Sequence, residues 1–317
     1  MNSSAQTDKQ IAWTNQLEKL GAEYGFFRQI DAEHKALFLR GDDTLVVTFD
    51  NLDDARQKVE DRLPWGVKFI NSQGWSALGI AAHGWTWYRT EEVCDLFDEL
   101  RDSKFFDQFK RVVFYGTSMA GYAAAAFSSA APNATVIALS PQATLNRGIT
   151  GGWETRFRKA WRRDFDGRYG YAPEEVATAR KTWVFYDPYT GQDAIHAALF
   201  RHPNTTHIRC RHFGHNMGSV MSMMGVLKPV VHGLVNDDLD EAGVYRLLRS
   251  RRTLPYYQKL LLNRLQEMKR PRLTYSYCHA VLKASHPARR PHFANQMNQI
   301  ARQFDLPTYD PGKTSPQ

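Results

Sequence analysis

The sequence predicts an α/β fold in which a doubly wound, mostly parallel sheet is followed by an all-helical extension. Three observations predict it. Short runs rich in β-branched and aromatic residues recur between Thr44 and Phe213, and several, such as VVF and VIAL, are apolar without alternation, as strands covered on both faces are. Helical stretches separate these runs, and strand-helix alternation builds parallel sheets flanked by helices. From about Asp237 the β-rich runs stop, and helical patterns opened by first-turn prolines, Pro255 and Pro271, take over.

In chain order, a polar helix is expected around Trp13–Gly21. The apolar runs Tyr24–Ile30 and Lys35–Arg40 flank Asp31-Ala32-Glu33-His34, whose composition suits the turn of an antiparallel hairpin. Strands follow at Thr44–Phe49, Val67–Asn71, Arg111–Tyr115, Thr135–Leu139, Thr182–Tyr186 and His207–Phe213. Helices fit Leu52–Glu60, Glu91–Leu100, Gly121–Ser129 and Ala194–Phe200, then Tyr256–Met268, Arg272–Ala284 and His292–Phe304. The division expected is a domain of residues 1–236 with an insertion at about 141–180, a basic helical extension at 237–306, and a disordered tail at 307–317. Two similar helices about 16 residues apart hint at a helical-hairpin repeat, and two units do not make a solenoid.

A chain of 317 residues, 43% of them hydrophobic and 23% charged, is long enough for a large globular domain with an appendage. Its +8 net charge is uneven: residues 242–317 hold 14 basic and 3 acidic residues, a net +11, which leaves about −3 for the rest. Cys94, Cys210 and Cys278 lie far apart with no CxxC pair, which argues against a disulfide framework and a thiolate zinc site and for a reducing compartment. The start lacks the apolar run of a secretory signal, and no stretch approaches the ~20 apolar residues that span a bilayer. A soluble cytoplasmic protein is therefore expected.

The strongest chemical signal is RVVFYGTSMAGYAAAAFSSAA. It reads as a strand through Tyr115, a tight Gly116-Thr117-Ser118-Met119-Ala120 turn, and a helix of very small residues. A serine held in such a strained turn needs nearly side-chain-free positions two before and two after it, which Gly116 and Ala120 supply. The small residues let the helix pack closely on the sheet and aim its N-terminus at the serine. Read alone, the five residues also fit an ordinary turn, and it is the strand-turn-helix context that favours the nucleophile.

With these residues in place, the chain resembles the α/β-hydrolase superfamily over roughly residues 24–236. That family orders its parts as oxyanion strand, nucleophile, acid and histidine, and the resemblance implies a candidate for each. Ser118 is the nucleophile. The acid should lie in the loop YDPYTGQD after Thr182–Tyr186, where Asp193, preceding a helix, ranks ahead of Asp187 at the strand end. His215, in the Gly-His-Asn loop after the last strand, is the base. The oxyanion donors would be the backbone N–H of Met119 and that of Asn51 or Leu52 in the loop Phe49-Asp50-Asn51-Leu52. The family's frequent HGGG is absent there, and Asp50 serves equally well as a cap of the following helix. His83 in HGW lies too far along the chain for that role and reads as structural. Metal binding by Cys210, His212 and His215 is the weaker reading, since no further ligands at metal spacing accompany them.

The segment 151–171 carries six Lys and Arg against three acids, together with Trp153, Phe157, Trp161, Phe165, Tyr169 and Tyr171. It fits an amphipathic helix with aromatics packed down and arginines in water, and less well a surface that stacks on sugars and grips an anion. Trp85, Trp87, Tyr88 and Arg89 form a second aromatic cluster. The leading functional reading is serine-dependent hydrolysis or transfer of an ester or thioester acyl group on a small-molecule or glycoconjugate substrate, with no metal and no redox cofactor. The runner-up is a catalytically silent scaffold that binds an acidic partner or polyanion through its basic tail. Direct nucleic-acid binding is the least supported, because the tail holds no recognised module.

Overall fold

A computed structural model describes residues 2–52, 63, 66–284 and 290–309, with the side chains of residues 2–11 left out. The chain divides into two compact units, Met1–Tyr245 and Arg246–Gln317. The sequence places the change of character near residue 237.

In the first unit, helix α1 (Asn2–Tyr24) leads into strands β1 (Gly25–Gln29), β2 (His34–Leu39) and β3 (Thr44–Asn51). The β1–β2 connection turns on Asp31, whose Oδ1 accepts the backbone N–H groups of Glu33 at 2.6 Å and His34 at 2.7 Å. This side-chain mimic of a backbone turn is why a short Asp-led segment closes the hairpin. There follow α2 (Val67–Ser72), β4 (Ser76–Ala82), α3 (Glu91–Asp102), β5 (Arg111–Thr117), α4 (Met119–Ala126) and β6 (Thr135–Leu139). Two single-turn helices, α5 (Arg147–Thr150) and α6 (Ala172–Glu175), precede β7 (Lys181–Tyr186), α7 (Gly191–Leu199) and β8 (Thr205–Arg209). Helices α8 (Met217–Met223) and α9 (Leu227–Val235) follow, and the division between the units falls within α10 (Glu241–Leu248).

The eight strands form one sheet in the order β1-β2-β4-β3-β5-β6-β7-β8. The β1–β2 and β2–β4 pairs are antiparallel and every later pair is parallel. With the nucleophile-type turn at the carboxyl end of β5, this doubly wound sheet is an α/β-hydrolase-type fold. Strands β2 and β4 are buried along their whole length, and β3 is buried from Thr44 to Asp50, which explains their lack of alternation. Helix α4 packs against β3, β5 and β6. Its run Ala123–Ala126 is fully buried, so the helix backbone lies close to the sheet. On the same side Phe97 stacks on Phe127 at 4.3 Å between centroids, inside one continuous apolar core.

Several local expectations are corrected. Val67–Asn71 is not a strand but the helix α2. Gly66 enters it with a left-handed φ of 84°, and Val67 and Ile70, three apart, share its buried face. The strand lies instead at Ser76–Ala82, whose small residues SALGIAA carry little β-propensity but fit between β2 and β3. Asp50 and Asn51 are ladder residues of β3, paired with Ala81 and Ala82, rather than loop. Beyond Leu52, the helix expected at Leu52–Glu60 lies outside the described residues. Strand β8 ends at Arg209, so His212 lies beyond it, with a left-handed φ of 63°. The segment 151–171 forms no amphipathic helix, only a 3₁₀ turn at Arg158–Arg162 within irregular chain.

In the second unit, α11 (Pro255–Glu267), α12 (Pro271–Lys283) and α13 (Pro291–Phe304) each begin with proline, whose missing N–H costs nothing at that position. Leu262, Cys278, Val281, Leu282, Phe293 and Met297 form their common core. The segment expected to be disordered from residue 307 is tied down at its start. Tyr275 donates its hydroxyl to the Pro307 carbonyl at 2.7 Å, and Tyr309 N–H donates to Asn298 Oδ1 at 2.6 Å. Residues 310–317 lie outside the described residues. No single helix among the described residues is long and apolar enough to cross a membrane.

Candidate active site

Ser118 sits between β5 and α4 with φ 56° and ψ −120°, a conformation that L-residues avoid. Its N–H donates to Leu139 O at 2.8 Å and its carbonyl accepts Tyr122 N–H at 2.9 Å, so strand β6 and the first turn of α4 hold the strain. The glycine two before it is sterically required: a Cβ on Gly116 would lie 2.0 Å from the Ala120 carbonyl oxygen. Ala120 carries its own methyl at the second small position. Met119, the first residue of α4, has an N–H that finds no partner within the helix because it belongs to the first turn.

His215 is delivered by the loop after β8. Gly214 adopts φ 68°, with nothing within 4 Å of where a Cβ would be, so glycine is needed there for conformation rather than space. Gly214 N–H donates to Asp187 Oδ2 at 2.8 Å, and Asp187 Oδ1 accepts Tyr189 N–H at 3.0 Å. Asp187, buried at the end of β7, therefore holds the histidine loop by its backbone. Beside it His212 stacks on Tyr189, with ring centroids 4.4 Å apart and planes inclined by 5°.

Asp193 lies inside the first turn of α7, where its negative charge suits the helix N-terminus, and not before the helix as the sequence implies. The structure brings it together with the other two residues. Ser118 Oγ lies 2.7 Å from His215 Nε2, and His215 Nδ1 lies 3.0 and 2.9 Å from the two oxygens of Asp193. Asp193 is 1% exposed. Burial pulls its pKa upward, but the hydrogen bond and charge of His215, and then those of Arg156, outweigh it and hold the carboxyl below its ordinary value. An ionised acceptor there selects the tautomer with hydrogen on Nδ1, leaving Nε2 as the acceptor that faces Ser118 Oγ. Asn51 and Leu52 stand at the carboxyl end of β3, next to β5 in the sheet.

Three residues that sequence reasoning passed over complete the cluster. Arg156 donates from one terminal nitrogen to Asp193 Oδ1 at 2.7 Å, and from Nε and the other terminal nitrogen to Glu154 at 3.1 and 2.6 Å. Glu154, fully buried, also meets His196 Nε2 at 3.1 Å, and His196 Nδ1 accepts Ala143 N–H at 3.1 Å. Burial would raise the Glu154 pKa, but the hydrogen bonds from His196 and Arg156 bring it down to about 2. Burial lowers that of His196 and keeps the ring neutral. Of these three, His196 had a signal, since it stands three residues after Asp193 on one helix. Arg156 and Glu154 had none beyond the charge count of their segment.

Phe157 approaches the His215 ring at 6.0 Å and contacts Trp87 and Trp85 at 5.2 and 6.3 Å. Trp87 and Tyr88 are buried, while Trp85 is 51% exposed. The arginines of 151–171 are largely bound: Arg163 pairs with Glu33, and Arg168 with Glu91, Asp95 and Asp98. His83 Nε2 lies 3.4 Å from Lys35 Nζ. Among the described residues no group of three His, Cys, Asp or Glu side chains could hold a metal ion.

The chain matches no family model and no curated protein. Among solved structures it is similar to the capsule O-acetyltransferase of Neisseria meningitidis serogroup A, at 14% identity over 63% of this chain and 92% of that one, with a TM-score of 0.40. It is also similar to the esterase of the archaeon Pyrobaculum calidifontis, at 12% identity over 76% and 96% with a TM-score of 0.45. Est1E from Butyrivibrio proteoclasticus matches at 13% identity over 67% and 98%, with a TM-score of 0.41.

Proposed function

We propose that the protein is a serine hydrolase or acyltransferase acting on ester or thioester substrates, with the chemistry in the unit Met1–Tyr245. One observation carries this reading: Ser118 from the turn after β5, His215 from the loop after β8 and Asp193 from the first turn of α7 form a continuous hydrogen-bonded chain at 2.7 and 2.9 Å around a nucleophile held in a strained turn. Ser118 Oγ attacks the acyl carbon as His215 Nε2 takes its proton, and Asp193 stabilises the imidazolium through Nδ1–H. The oxyanion is received by Met119 N–H and by a second amide at Asn51 or Leu52. His215 returns the proton to the departing alcohol or thiol, leaving the acyl group on Ser118. Water or an acceptor hydroxyl, deprotonated by His215, then takes the acyl group as His215 passes that proton to the departing Ser118 Oγ, so hydrolysis and transfer share every protein group. Asp187 acts through the backbone of the histidine loop. The three cysteines are buried and outside any disulfide, which suits action in a reducing compartment such as the cytoplasm.

The test is hydrolysis of short activated esters by the wild type and by Ser118→Ala. The variant is expected to keep its fold and lose roughly 10⁴ to 10⁶ in kcat. A folded variant with most of its activity removes Ser118 from the mechanism.

A further inference from the structure

Arg156 is tied to the site from two sides. One terminal nitrogen reaches Asp193 Oδ1, the oxygen that also lies 3.0 Å from His215 Nδ1, while the rest of the guanidinium fork is clamped on Glu154. The backbone N–H of Arg156 adds a further bond to Glu154 Oε1 at 2.8 Å. Glu154 is anchored in turn by His196, which lies on α7 as Asp193 does. A planar, permanently charged fork bridging two carboxylates fixes both in orientation, as the point charge of a lysine does not.

The charges around His215 can be counted. Asp193 and Glu154 are anions, Arg156 is a cation, and His196 is neutral and hydrogen-bonded on both ring nitrogens. Asp187 lies behind the loop and is committed to Gly214 and Tyr189. Phe157, which carries no charge, lies with its ring 6.0 Å from that of His215. The Asp193–Arg156–Glu154 group thus carries one net negative charge, which the proton taken from Ser118 neutralises. Without Arg156 it would carry two, and an imidazolium beside two uncompensated carboxylates is harder to deprotonate.

Resting on the reading of Ser118, His215 and Asp193 as the reacting triad, we infer that Arg156 is a positioning residue: it locks Asp193 against His215 and moderates the basicity of that histidine by offsetting one of two carboxylate charges. This makes the 141–180 insertion part of the site's electrostatics.

The experiment uses the full-length wild type, Arg156→Gln, Arg156→Lys and Glu154→Gln. Each is checked for fold by circular dichroism. The acid limb of kcat/KM for p-nitrophenyl acetate and the NMR titration midpoint of the His215 ring are then measured. For Arg156→Gln both should move up by about 1 unit, since loss of a nearby like charge removes what disfavours the imidazolium. Activity well below the limb should then fall about tenfold. Arg156→Lys should return the midpoint close to that of the wild type. Glu154→Gln, which removes a negative charge and leaves the cation, should move it down. A folded Arg156→Gln with an unmoved midpoint overturns the inference, as does movement of the Gln variants of Arg156 and Glu154 in the same direction. Loss of rate at all pH values with no shift marks a merely structural arginine and also overturns it. Should Arg156→Gln fail to fold, the direction of shift in Glu154→Gln decides. A wild type without esterase activity would defeat the proposed function alone, because the NMR titration reads the coupling without turnover.

Discussion

Beyond the carboxyl ends of β5, β7 and β8, backbone geometry delivers the three side chains proposed to react: Ser118 by a strained turn, His215 by a left-handed glycine, and Asp193 by the first turn of a helix. The insertion between β6 and β7 works by other means. It has hardly any regular structure, and its shape comes from arginines paired with carboxylates and carbonyls, such as Arg89 donating to the Asp164 and Arg168 carbonyls, and Arg163 paired with Glu33. The first region is specified by local backbone rules and the second by long-range partners. Asp193 belongs to both, bonded to His215 on one side and to Arg156 on the other.

The largest expected effect separates the two acids of the sheet end. Asp193→Asn should reduce kcat by about 10⁴, because an amide no longer fixes the imidazole tautomer. Asp187→Asn keeps an oxygen able to accept Gly214 N–H and should cost far less. Steady-state kinetics on two equally stable variants makes the comparison, and a reversed order would transfer the acid's role to Asp187.

A smaller effect is expected in the insertion. Phe157→Ala removes the ring that spans His215, Trp87 and Trp85, and Trp85→Ala removes the exposed end of that aromatic wall. Each should lower kcat/KM by roughly fivefold on esters with bulky groups, the worth of an aromatic contact of about 1 kcal/mol. Short esters that do not reach the wall should be nearly unaffected. Equal losses on acetyl and bulky esters would mean that Phe157 serves only to support His215.

The last effect concerns acid stability and leaves activity at neutral pH aside. Glu154 has its pKa lowered from 4.5 to about 2 in the folded protein, so the stability its ionised form contributes is fully present above pH 4.5 and is lost as pH falls toward 2. Thermal melting across that window should show a shallower acid decline for Glu154→Gln than for the wild type. Parallel curves would show that the Glu154 cluster does not govern acid stability.

The same contrast explains what was legible in the sequence. Ser118, Asp193 and His215 could be named because small residues at fixed offsets, a strand end and a glycine loop are local signals, and chain order supplied the rest. Strand β4 was missed because SALGIAA gains its strand from burial between two neighbours, while Val67–Asn71 shows apolar residues that fit either period. The segment 151–171 read as an amphipathic helix because composition does not reveal that Arg163 will find Glu33, or Arg168 the acids of α3. Arg156 was hidden for the same reason: its partners Asp193 and Glu154 are joined only by the fold.

The central claim is that Ser118 is an activated nucleophile, and covalent labelling tests it most directly. Wild-type protein treated with a fluorophosphonate should gain the mass of one phosphonyl group, mapped by peptide sequencing to Ser118, while folded Ser118→Ala and His215→Gln should gain none at matched time and pH. Label on another residue, or no label on a wild type whose Ser118 turn is intact, would contradict the account.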